Sequence, residues 1–217
     1  KKQLTTMKKS IIFLFTIISF STAYAQNDKF EAAMKPLVAE IHATRFDQSL
    51  TEASNKMERI ATAEPDEWLP QYWVAYCNII GSLSEQDEDK KELMLDKAEE
   101  YAMKAVELNK NSDEVQQLMA YMYNAKLAAS PMTGWMRYGN KVEKHIDNAK
   151  NINPNNPRVA LLEAESVYYT PSTFGGGKDK AKPMIEKAQK LFEAFEPKNE
   201  LMPNWGGSTI DYYLSQY

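Results

Sequence analysis

One cysteine and two histidines among 217 residues leave little material for disulfide, thiol or metal chemistry. Cys77 has no internal partner, so it reads as a small buried apolar residue. His42 and His145 alone are a poor basis for a catalytic pair or triad, and no strand-to-helix nucleophile elbow presents a serine. No catalytic residue and no cofactor are therefore assigned. Lys and Arg form no cluster interleaved with aromatics, and the formal charge of −4 repels phosphate backbones, which excludes nucleic acid as a partner. Met119, Met122, Met132 and Met136 near His145 are spaced as flexible core fillers rather than as a copper site. The acidic run 85–89 lacks the alternating acids, central glycine and closing glutamate of a calcium loop, so no metal site is expected there. What remains, with 43% apolar and 26% charged residues, is enough to bury a core.

Long apolar runs are also missing. The run Ile11 to Phe20 is about half of the roughly 20 residues needed to cross a bilayer. Lys8 and Lys9 precede it, and Ala23-Tyr24-Ala25 offers small residues for cleavage before Gln26, the pattern of a secretory signal peptide. Residues 1–25 are accordingly read as a signal peptide, with 1–6 as upstream read-through or a tag, and 26–217 as one domain that reaches the periplasm or the exterior. Removing the four lysines of the leader leaves 22 basic against 30 acidic side chains, a formal −8. No membrane span is expected in the mature chain.

From about Asp28 onward apolar residues recur three and four apart, and no stretch alternates at period two, so the fold should be all-α. Breaks fall at 64–66, 109–113, 153–157 and 196–199, each after a helical run. Between them four segments share one spacing: Ala53, Met57, Ile60, Ala63, Pro65; Ala98, Ala102, Ala105, Leu108; Val142, Ile146, Ala149, Ile152, Pro154; and Ala181, Ile185, Ala188, Leu191. Small residues there let two helices approach closely, and proline ends the unit by denying the next amide a hydrogen bond.

This spacing resembles the second helix of the tetratricopeptide repeat (TPR) family, although the period of 39–47 residues exceeds that family's 34. The excess falls at 82–91, 129–140 and 170–178, in loops between paired helices or in lengthened helices. The resemblance implies a TPR-like α-solenoid of about four helical hairpins plus a C-terminal capping helix. Ser208 is expected to cap a last helix from Thr209 to Gln216, and Trp205 to seal that joint.

In a TPR-type solenoid the first helices line a concave groove. The groove positions of the family fall on Asn78, Gln117, Tyr121, Asn124, Arg158, Glu165, Tyr168 and Tyr169, which are expected to hold a protein segment. The loop 170–178 resembles a phosphate loop only superficially, since Asp179 follows Lys178 and a helix precedes the glycines. Its glycines instead permit positive φ, with Phe174 tucked into a neighbour or offered to a partner. Together with the closing Pro-Asn-Trp-Gly segment this loop is similar to exported bacterial TPR-like proteins. The leading expectation is a non-catalytic, exported protein-interaction module. The alternative is a small-ligand carrier or an accessory subunit of an envelope transport system.

Overall fold

The computed structural model describes residues 28–44, 49–130 and 133–217; the leader and Met132 lie outside the described residues. Among the described residues all regular structure is helical. Helix α1 covers 28–43, followed by α2 (Thr51–Ala63), α3 (Trp68–Ser84), α4 (Glu88–Asn109), α5 (Asp113–Ala129), α6 (Gly134–Ile152), α7 (Pro157–Tyr169), α8 (Lys178–Glu193) and α9 (Gly207–Leu214). Consecutive helices pair as hairpins, α3 with α4, α5 with α6 and α7 with α8, and each hairpin packs on the next. The result is an α-solenoid closed by α9.

Local chemistry places the helix ends. Asp87 accepts from the amides of Asp89 and Lys90, so the acidic run caps α4. Ser112 accepts from Val115 at the start of α5. Asn156 accepts from Arg158 and Val159 while Pro157 occupies the first turn of α7, where its missing N–H costs nothing.

The shared spacing of the second helices is a packing pattern. Ala53, Met57, Ala98, Ala102, Ala105, Val142, Ile146, Ala149, Ala181, Ile185 and Ala188 are all buried. Ala98, Ala149 and Ala188 are each 0% exposed, which is how adjoining helices come so close. The fourth position departs from the expectation. In α2 Ala61, not Ala63, is buried, while Leu108 and Ile152 face outward.

Of the two readings of the excess length, lengthened helices hold at 82–91 and 129–140, since α4 alone runs 22 residues, and a loop holds at 170–178. One further expectation needs correction. The last helix starts at Gly207 with Gly206 as its N-cap and no side-chain cap; Ser208 lies within it. Gly206 adopts φ 109°, and a Cβ there would meet Phe192 Cζ at 2.6 Å, so glycine is required for both reasons.

After α8 the chain crosses back over the solenoid. The Trp73 indole N–H donates to the Leu201 carbonyl at 2.9 Å, and the Trp205 N–H donates to the Tyr72 hydroxyl at 2.9 Å. Beneath this strap, Arg158 makes a two-pronged pair with Glu114, its Nε 2.8 Å from Oε2, and its guanidinium lies 4.4 Å from the Phe195 ring.

An aromatic cleft under the C-terminal strap

The strap and helices α1, α3 and α5 border a cleft of about 680 Å³. Ile41 and His42 of α1, Tyr76 and Ile80 of α3, Tyr121 of α5, and the segment Asn204 to Thr209 line it. The volume falls in the range of small-molecule sites, and the lining mixes aromatic and aliphatic side chains with His42, Asn204, Ser208 and Thr209.

One wall is a stack. The Trp205 ring lies 4.9 Å from Tyr76 at 32° and 5.3 Å from Tyr121 at 23°, so three aromatic rings run in near-parallel series. Burial raises the Tyr76 and Tyr121 hydroxyls well above the ordinary phenol range, and the Glu165 carboxylate beside Tyr121 pushes in the same direction. Both therefore remain neutral donors. His42 stands edge-on to Trp73, with ring centroids 5.2 Å apart and 88° between the planes. Burial lowers its pKa, partly countered by the Met202 backbone nearby.

Of the eight groove positions expected from sequence, Tyr121 alone lines the cleft. Glu165 sits behind it, its carboxyl raised to about 7 by burial and partly offset by a hydrogen bond from Tyr213. Arg158, expected at the surface, is 0% exposed and satisfied by Glu114, so it presents nothing to a partner. Gln117 is likewise buried, and Asn78 is consumed within the fold, donating to Ser54 Oγ at 3.0 Å and to the Val74 carbonyl. Asn124 is half-buried. Tyr168 is half-buried with Lys178 5.2 Å from its ring, and Tyr169 is exposed, its hydroxyl 3.2 Å from that of Tyr213. Phe174 is neither tucked in nor part of the cleft. It is 82% exposed on a short turn held by Gly175 at φ 91°.

The residues that build the cleft were only partly visible beforehand. Trp205 does more than seal the last hairpin, because it reaches the second and third hairpins through Tyr76 and Tyr121. His42 and Tyr76 carried no motif. Their signal is periodicity alone, His42 beside the buried Met34, Val38 and Ile41 stripe and Tyr76 within the aromatic run of α3. Cys77 is buried, as its isolation suggested, and burial pushes its thiol up to about 12.

Fold and cleft together define a helical-hairpin solenoid with an aromatic, small-molecule-sized cleft beneath its C-terminal strap. The family model for regulator of microtubule dynamics protein 1-3 matches residues 38–163, and the chain belongs to that family. The match takes in His42, Tyr76 and Tyr121 and leaves the strap outside. Among solved structures, the HusA haemophore from Porphyromonas gingivalis is similar at 30% identity and a TM-score of 0.75, over 86% of this chain and 92% of that one. A comparison with curated protein sequences returns no match.

Proposed function

We propose that this chain is a non-catalytic carrier that holds a flat, largely apolar ring system of the porphyrin class in the cleft under the strap. The observation that carries the reading is the stacked wall of Tyr76, Trp205 and Tyr121 within a cavity of about 680 Å³. Parallel rings offer π-faces that a planar ligand extends, and the rigid aromatics lose little entropy on binding. The similarity to a structure described as a haemophore supports the same class of cargo. The carrier acts after export to the periplasm or the exterior, as the leader pattern of residues 1–25 suggests, and no described helix is long and apolar enough to cross a membrane.

Titration with ferric haem, followed by absorbance and tryptophan fluorescence, tests the reading. Saturable one-to-one binding is expected, with a melting temperature that climbs as RT ln(1 + [L]/Kd), about 2.7 kcal/mol at a hundredfold excess over Kd. A linear, unsaturable response with an unchanged melt rules it out.

A second reading is a TPR-like docking module, favoured by the exposed Phe174 and Tyr169 at the far end of the solenoid. There the partner is a protein segment, and substitution of these two residues, not of the cleft, abolishes the interaction.

A further inference from the structure

His42 supplies the cleft with an imidazole, a donor suited to iron. Trp73 packs edge-on against its ring at 5.2 Å and restricts the plane before any ligand arrives. A neutral imidazole keeps a lone pair on one ring nitrogen, the donor that metal-bound imidazoles use. His42 also lines the cavity itself, on the rim that α1 contributes.

The competing donors are weaker for physical reasons. Tyr76 and Tyr121 bind haem iron as phenolates, and burial holds both hydroxyls protonated. Ser208, Thr209 and Asn204 offer only neutral oxygens. Cys77 points into a separate small pocket beside Ser54 and Met94, away from the cleft.

We propose that His42 is an axial ligand to the iron of a bound porphyrin and makes the cleft prefer an iron porphyrin to a metal-free one. The inference rests on the porphyrin reading above. Coordination forms one dative bond from the free imidazole nitrogen to iron and releases a weakly held water or chloride from the metal. No electron is transferred, and no proton leaves the ring.

The test compares ferric haem with metal-free protoporphyrin IX on the full chain, using absorbance for affinity and electron paramagnetic resonance for the iron. Wild type should bind ferric haem about tenfold or more tighter than the metal-free ring, the ratio that 1.4 kcal/mol produces. It should also show nitrogen-ligated iron. In His42→Ala the ratio of the two affinities should fall to about one, and the nitrogen signature should be lost. His145→Ala, outside the cleft, should behave as wild type. Equal affinities in wild type, a measurement that needs no variant, overturn the His42 assignment and leave the carrier reading intact. So does a nitrogen signature that survives in His42→Ala. Absence of binding by both porphyrins overturns the carrier reading and the ligand together.

Discussion

Trp205 and Tyr121 lie face to face, ring centroids 5.3 Å apart and planes 23° from parallel, and this contact ties the C-terminal strap to the third hairpin. Everything else about the cleft follows from it. The strap is held by Trp73 at Leu201 and by Tyr72 at Trp205, and residues 204–209 at and beyond the second anchor wall the cavity.

Trp205→Ala removes a large half-buried ring and its hydrogen bond to Tyr72. A loss of about 3 kcal/mol is expected, at the low end for truncating a core aromatic. Urea unfolding measures it, and the variant should also lose any porphyrin affinity. A change below about 1 kcal/mol is too small for a ring that closes the cleft.

The Glu114–Arg158 pair is buried on both sides and joins α5 to α7. Arg158→Ala strands a buried carboxylate, so it should cost about 3–5 kcal/mol. Replacing both partners by apolar residues of similar volume should recover most of that loss. Denaturation of the single and double variants decides it: a double variant as unstable as the single one contradicts this account.

Glu165 gives stability a specific pH dependence. Its folded-state pKa of about 7 lies above the ordinary 4.5. The contribution of the group is therefore full below about 4.5, falls as pH rises, and is lost above about 7. The facing hydroxyls of Tyr121 and Tyr213 stay neutral across this window, since both are raised well above the phenol range. Thermal melts from pH 4.5 to 8 should show wild type falling relative to Glu165→Gln, and parallel curves refute the assignment.

Adjacent glycines should respond differently. At Gly206 the positive φ and Phe192 at 2.6 Å from an added Cβ predict that Gly206→Ala destabilises by about 1–3 kcal/mol. At Gly207, where an added Cβ meets nothing within 4 Å, alanine should be neutral within about 0.5 kcal/mol. Thermal unfolding of the two variants checks the contrast.

The hairpins were legible in the sequence because close packing of helices imposes a local, periodic demand, and Ala98, Ala149 and Ala188 answer it at one spacing. The cleft was less legible because its walls meet across the whole chain. Nothing periodic marks a strap that returns from α8 to pair Leu201 with Trp73. A lone arginine reads as solvated until Glu114 is found opposite it in space, which is why Arg158 was placed in a groove rather than in the core. His42 carried no motif, and its role depends on Trp73 and the strap.

The most direct test of the carrier reading is the ferric haem affinity of the Tyr76→Ala/Tyr121→Ala double variant, with Phe174→Ala as a remote control and folding verified by circular dichroism. The account predicts a loss of about tenfold or more for the double variant and none for the control, since two faces of the aromatic wall are removed and Phe174 lies elsewhere. Equal affinity across all three proteins contradicts it.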